Sequence, residues 1–482
     1  MQEQRRTPSA TDDPTEWLHY WRSFGDRYVA DDEPWRTQPL ISPERQQLLA
    51  ARLAVAPDIE ESRFPFKDIA LTRADIEWLL DAHRDGQGPL DWDDPDQQGQ
   101  SGLDLRGADL RHVDLSHLPL AGLTGGLTSL ESLVSTAEQE EAAAVQMQGA
   151  HLYFAHLEGA QLAGAHLDDA DLARTRLQDA HLASAHLARV DLRAAHLERA
   201  ILEAAHLEGA DLTRAHLDEA NLRGAHCENA DLKFALLHRA DLRGAHCEGA
   251  DLTRAHLEGA DLARCFFDGA TTLDRVYFCD REHGCARLAD VQWGDVNLSV
   301  VTWSSVKTLT GRRPARHHDR DTHEYVAPRQ ESIYFYEEAV RTNRQIAIHL
   351  YNQGLNEEGA RFSHAAYSIR RQIYRLKHRY IRYGLSCLIA VLAGYGYTPL
   401  RILMWYVAIN TVCAVIYSRL GSPDPIVESI TAFHGRGFFS EQFRLGNPEY
   451  RIAASEAVIG LLIEICFIAT FTQRFLGRGS DT

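Results

Sequence analysis

Between Val145 and Ala270 the chain repeats every five residues. Leucine stands at 152, 157, 162 and onward in steps of five to 262, with Cys227 and Cys247 substituting and Phe267 extending the series. Alanine stands two residues before nearly every one, with Thr175, Val190 and Cys265 as replacements. A period of five fits neither the 3.6-residue turn of a helix nor the two-residue alternation of a strand. A short fixed period sustained this long requires a solenoid whose coils stack and share one core.

The units Ala-Asp-Leu-Thr-Arg (210–214) and Ala-Asp-Leu-Arg-Gly (240–244) resemble the repeat of the pentapeptide-repeat family. The resemblance implies a right-handed quadrilateral β-helix, a β-solenoid with one repeat per side and twenty residues per coil. The main run, 145–269, then holds 25 repeats in just over six coils, about 30 Å of solenoid at roughly 4.8 Å per coil. A first run (Leu105, Leu110, Leu115, Leu120) precedes it across an insertion near 124–144, and a third (Leu288, Trp293, Leu298, Trp303) follows with larger side chains that suggest a widening or closing coil. The β-helix is assigned to 101–310.

Residues 1–100 read as an N-terminal arm and helical cap. Trp17, Trp21 and Trp35 lie scattered among charges and predict a loose arm or one that packs late. Helices are expected near Ser42–Val55 and Thr72–His83, the second with Thr72 as N-cap. They are the natural cover for the open end of a β-helix. Beyond the solenoid come a charged linker (311–332) and a helical hairpin (333–382) broken at Gly354.

Residues 383–478 read as a membrane module. An apolar stretch at 385–393 is too short to span comfortably and predicts an interfacial helix. Spans are expected at 399–418 and 452–471, each long enough for about 30 Å of hydrocarbon. The basic residues Arg370, Arg371, Arg375, Lys377, Arg379 and Arg382 before the first span, and Arg474 and Arg478 after the second, put both flanks inside by the positive-inside rule. The expected location is the bacterial plasma (inner) membrane, multi-pass, with both termini cytoplasmic. Met1–Pro14 has no apolar core, which predicts no cleaved signal peptide. Eight cysteines without a CxxC pair predict reduced, mostly buried thiols; Cys227 and Cys247, one coil or about 5 Å apart, would permit a disulfide, but a cytoplasmic location favours two free thiols in the core.

Between the spans, 425–440 combines a short helix with Gly435-Arg436-Gly437. A span, a re-entrant helix, a Gly-x-Gly turn and a second span resemble the pore unit of two-span tetrameric potassium channels, whose filter presents backbone carbonyls. The resemblance implies a homo-oligomer, a tetramer, with Thr431, His434, Gly435, Arg436 and Gly437 at filter-like positions. Arg436 stands where those channels carry Tyr and His434 where they carry Val, so a ring of guanidinium groups would oppose cations. Glu456, Gly460 and Glu464 form one stripe of the second span. In a channel this stripe lines or backs the pore; otherwise it is a helix–helix contact with Glu456 bonded near the interface.

On the solenoid, His166, His186, His206, His226 and His246 recur every twenty residues on one side and should point outward about 5 Å apart. The opposite side carries His156, His196, His216 and His256, interrupted by Arg176 and Leu236. Such a ladder fits a pH sensor or a weak transition-metal stripe, or stacking histidines that replace the usual Asp or Asn; protonation should be disfavoured within it. No nucleophile–base constellation or phosphate-cradling loop stands out, so neither an enzyme nor a cofactor is expected. A formal net charge of −18 argues against a nucleic-acid surface. The functional alternatives are a channel-like protein with a cytoplasmic sensor, or a scaffold that binds a protein partner and is tethered to the lipid bilayer. A third comes from the family resemblance: some of its soluble members mimic duplex DNA and bind DNA gyrase. The main run, with 20 acidic and 12 basic residues, supports this weakly.

Overall fold

A computed structural model describes residues 14–23, 29–30, 33–132, 134–303, 306, 328–394, 399–435 and 448–471. The chain divides into two compact units, Met1–Gly311 and Arg312–Thr482.

In the first unit the five-residue period is a β-solenoid. The residue before each central leucine bridges in parallel to the residue twenty positions on, as in His151 to Asp171 and Asp171 to Asp191. Each side of a coil contributes one such bridge, flanked by backbone bonds such as Leu152 N to Asp171 O at 2.6 Å. The corner then turns tightly, with Ala155 N donating to Leu152 O at 2.9 Å. The last residue of each repeat takes the left-handed conformation, at Asp169 (φ 59°), Arg174 (φ 57°) and Asp179 (φ 59°) among others. Glycine occupies several of these corners because it meets no Cβ penalty there, as at Gly224 (φ 61°). Central leucines and preceding alanines point inward and are buried throughout, Leu207 and Ala205 completely. Small and large side chains alternate along the inner wall, which lets stacked coils fill a narrow core.

The register lengthens where the sequence inserts residues. Asp109 pairs with Gln146 across an excursion containing α4 (Ser129–Ser132) and α5 (Ala137–Ala143). Near the far end Asp251 pairs with Thr272, and Asp261 with Arg287 across a hairpin at 279–285. The third run closes the core with rings: Phe267 lies 5.7 Å from Trp293, and Phe278 6.0 Å from Trp303. At the other end the segment before α3 (Arg73–Gly86) pairs with the first coil, Leu71 N to Asp109 O at 3.0 Å. Thr72 caps α3 in a reciprocal capping box with Asp75, and Ser42 caps α2 (Pro43–Leu53).

Two expectations are corrected in this unit. Of the two expectations for the N-terminal arm, looseness fails over its described part: α1 (Pro14–Arg22) buries Trp17 and Trp21, and Trp35 is buried as well. The Arg36 guanidinium lies 3.9 Å over the Trp21 ring, and Glu77 of α3 accepts from the backbone N–H groups of Thr37 and Gln38. Burial of three indoles outweighs the polar composition around them. The cysteines are not all reduced: Cys279 and Cys285 form a disulfide, facing one another as an antiparallel pair at the neck of the hairpin. Cys227 and Cys247 are free and buried in the core.

The second unit is helical. α6 (Pro328–Asn352) and α7 (Asn356–Leu376) form an antiparallel pair joined at Gly354, whose φ is 77°. Ala339 and Val340 of α6 pack against Ile369 and Ile373 of α7. α8 (Tyr380–Ala393) and α9 (Pro399–Leu420) follow, then α10 (Pro425–Phe433) and α11 (Pro448–Phe471). Among the described residues one helix, Leu400–Leu420, is long and apolar enough to cross a membrane.

Candidate functional site

The helices α9, α10 and α11 meet around a small apolar cluster of Ile402, Phe433 and Ile463. α10 is nine residues long, about 14 Å, and packs between its longer neighbours. Its inward face is Ser429, Ala432 and Phe433, all buried. Pro425 at its first turn presets the backbone for the helix start.

The stripe on α11 faces this short helix. Glu456 is 1% exposed. It accepts a hydrogen bond from the Tyr417 hydroxyl of α9 at 3.1 Å, and the Ser429 hydroxyl of α10 lies against its other oxygen. Ser429 Oγ also lies 3.2 Å from the carbonyl oxygen of Asn410 on α9. One carboxylate therefore ties three helices. One turn on, Gly460 meets the C-terminus of α10 so closely that an added Cβ would sit 2.1 Å from the carbonyl oxygen of Phe433. A further turn on, Glu464 Oε1 lies 3.8 Å from His434 Nε2, both half-exposed. Thr431 bonds within its own helix, to the carbonyl oxygen of Val427 at 2.9 Å. Gly435 follows with φ 72°, a left-handed end to the short helix. Arg436 and Gly437 lie outside the described residues.

The spacing of Glu456, Gly460 and Glu464 revealed a stripe but not its partners. Asn410 and Tyr417 of α9 were missed as members of the site. Their signal was two polar side chains seven residues apart, hence on one face, within a mostly apolar helix.

On the solenoid the histidine ladder is a stack of parallel rings. Centroids of His166, His186, His206, His226 and His246 follow at 4.6, 5.1, 5.0 and 5.1 Å, and Phe266 extends the stack at 4.6 Å. Burial, then the neighbouring His166, pushes the His186 imidazole below its ordinary value. The reading from single positions missed the carboxylates beside these rings. His206 Nδ1 lies 3.1 Å from Glu208 Oε1, and His196 Nδ1 lies 3.0 Å from Glu198 Oε1. The hydrogen bond to Glu198 raises His196 above its ordinary value. The signal was the recurring His-x-Glu triplet, since residues two apart on a strand share a face. Elsewhere arginines pair with the acidic residues of adjacent or the same coils, Arg189 with Asp169 and Arg193 with Asp191. These pairs break up a continuous anionic face.

Residues 146–269 match the family model for pentapeptide repeats in overlapping stretches, eight copies in all. A pentapeptide repeat protein of Nostoc PCC 7120 is 38% identical over 20% of this chain and 77% of its own, with a TM-score of 0.19. HetL, a pentapeptide repeat protein involved in heterocyst differentiation regulation from Nostoc sp. strain PCC 7120, is 25% identical over 40% of this chain and 86% of its own, with a TM-score of 0.15. QnrB1, a plasmid-mediated fluoroquinolone resistance protein, is 18% identical over 34% of this chain and 86% of its own, with a TM-score of 0.15. No curated protein matches the chain. By the family match over the main run and by its own coil geometry, the chain is a pentapeptide-repeat protein.

Proposed function

We propose that this protein anchors a pentapeptide-repeat solenoid to a bacterial inner membrane through a two-span, channel-like helical module, and works as a homo-oligomer, a tetramer. The observation that carries the reading is the short helix α10. It buries its inner face between α9 and α11, while the outer faces of those helices expose Leu403, Val407, Val415, Val458, Leu461 and Ile465. A helix of nine residues does not cross about 30 Å of hydrocarbon, so it fits a re-entrant element between two spans. Outward-facing aliphatic side chains on long helices fit lipid rather than water. α11 carries Glu456 and Glu464, but the first is satisfied by Tyr417 and Ser429 and the second faces His434. A buried carboxylate satisfied as Glu456 is fits a span, while Glu464 stays half-exposed.

The basic flank 370–382 supports cytoplasmic termini and a cytoplasmic solenoid that senses a signal or binds a protein partner. The Cys279–Cys285 disulfide pulls the other way, since such bonds are rare in reducing compartments. A second reading, an anchored scaffold that conducts nothing, is favoured by the stripe itself. Glu456 and Gly460 are spent on packing within the chain. A DNA-mimicking role is a weaker third, because arginines interrupt the acidic surface.

Reconstitution into liposomes tests the channel reading. Arg436→Tyr with His434→Val should raise cation flux, and Glu464→Gln should lower it. Absence of flux from the parent and both variants at every pH and voltage leaves the scaffold. External cysteine labelling at position 479 in spheroplasts would overturn the assigned topology.

A further inference from the structure

Near the far end of the solenoid one side changes character. The residues after the central position stack as Asp218, His238 and Glu258 on successive coils. His256 lies two residues before Glu258, and its Nδ1 is 3.2 Å from Glu258 Oε1. The disulfide-closed hairpin 279–285 folds over this corner and sets His283 with its ring 4.4 Å from that of His238. Gly259 permits the approach, since a Cβ there would lie 2.7 Å from the carbonyl oxygen of His283.

Glu258 is the informative residue. Its side chain is 6% exposed, and its second oxygen, Oε2, is buried without a hydrogen-bond partner. The corresponding oxygen of Glu158, Glu198, Glu208, Glu228 and Glu248 is likewise without a hydrogen-bond partner, so the distinction of Glu258 lies in its burial and in what faces it. Glu198, Glu208, Glu228 and Glu248 are markedly more exposed, and Glu158 has the Arg176 guanidinium 3.8 Å from its other oxygen, Oε1. The neighbour of Glu258 Oε2 is His238 Nε2 at 3.6 Å. That distance is beyond a hydrogen bond, so a proton on Nε2 does not satisfy the oxygen. The other nitrogen of His238 lies 2.5 Å from Asp218 Oδ1. With its proton held there, Nε2 offers a lone pair toward the carboxylate. A carboxylate that fixes one imidazole nitrogen while the other faces outward is the second-shell arrangement of metal-binding histidines. Tetrahedral zinc, with bonds of about 2.0–2.1 Å, places its ligand atoms about 3.3 Å apart, close to the observed gap. One ligand atom from each of His238, His256 and Glu258 lies within 4.8 Å of the others.

We infer that His238, His256 and Glu258 form a binding site for a divalent transition cation of the zinc type, with Asp218 as the positioning residue behind His238. Imidazole and carboxylate donors suit zinc. The bound cation would satisfy the buried oxygen of Glu258 beneath the roof formed by the hairpin.

The test uses the full chain without a polyhistidine tag, purified in detergent, stripped with a chelator and titrated with zinc against a chromophoric competitor. One tight equivalent per chain is expected, with cobalt substitution giving the intense visible bands of a four-coordinate site. Glu258→Gln and His238→Gln should each weaken binding by more than about tenfold, and Asp218→Asn by roughly 10–100-fold. His206→Asn with His226→Asn, on another side, should leave this equivalent unchanged. Zinc should raise the unfolding temperature of the parent and not that of Glu258→Gln, which reports the site even if that variant is itself less stable. Unchanged zinc affinity in Glu258→Gln, or no tight equivalent in the parent, overturns the assignment.

Discussion

The solenoid and the C-terminal helices use similar apolar side chains in opposite ways. In the solenoid every central leucine from 152 to 222 is buried. In α9, α10 and α11, Leu403, Leu461 and Ile465 are exposed while polar groups such as Ser429 and Glu456 are buried. The first pattern is what water selects, with each buried leucine worth roughly 1.5–3 kcal/mol. The second fits the lipid setting proposed above, because hydrocarbon gives apolar side chains no reason to hide and polar groups must find partners inside. The comparison teaches that composition alone does not separate the two regions; the direction in which the apolar groups face does.

A matched pair of substitutions breaks the comparison if it is wrong. Leu207→Asp puts an unpaired carboxylate into a core position that is 0% exposed. The expected loss is at least about 4 kcal/mol, seen as an unfolded or aggregated solenoid by circular dichroism. Leu461→Asp, on the exposed face of α11, should leave the solenoid intact. It should cost about 2.5–3.5 kcal/mol in membrane insertion, read as loss from the membrane fraction. An unchanged Leu207→Asp would sink the core assignment, and normal membrane recovery of Leu461→Asp would remove the lipid-facing assignment of α11.

Glycine sharpens the same contrast at smaller energy. Gly460 is needed for space, since its backbone lies against the Phe433 carbonyl. Gly460→Val should therefore destabilise the three-helix packing by about 1–3 kcal/mol, measured as lower thermal stability of the detergent-solubilised chain. Gly224 is needed only for its conformation, as nothing lies within 4 Å of an added Cβ. Gly224→Asn should cost about 1 kcal/mol or less, because Asn tolerates the left-handed region and Asn229 already occupies it on the next repeat. Equal losses at the two sites would erase the distinction.

The two regions also differed in what the sequence made legible. The period of five is a local, repeated constraint, so coil, inward residues and ring spacing could be read from Leu152, Ala155 and His166 without knowing any distant contact. The third run was readable for the same reason, through Trp293 and Trp303. The hairpin at 279–285 was not, since Cys279 and Cys285 match no short motif and their pairing depends on a turn inserted between coils. In the helical unit Glu456, Gly460 and Glu464 could be placed on one face by periodicity. That they meet Ser429, Phe433 and His434 is a tertiary fact that spacing does not encode. In the arm, Trp17 and Trp21 are four apart and so could be placed on one helix face, but nothing in the spacing showed that they and the distant Trp35 would all be buried.

The smallest expected effect lies within the solenoid, between its two histidine faces. His186 sits in the continuous stack, facing His166 and His206, with Asp168 and Glu141 as the nearby acids; burial and then the neighbouring ring hold it below its ordinary value of 6.5. Its unfolded form therefore binds a proton first as pH falls through about 6.5. Stability is unaffected at high pH and is lost on acidification until the folded form protonates too. His196 is raised above 6.5 by its hydrogen bond to Glu198. Its contribution is fully present below the unfolded value and is lost as pH rises through the folded one. His186→Asn should thus flatten the acid-side loss of stability, whereas His196→Asn should steepen it. Both effects should be on the order of a few tenths of a kcal/mol after solvent screening. Urea unfolding between pH 5 and pH 8 measures both, and the same sign for the two variants would show that the faces do not differ in the way their carboxylates imply.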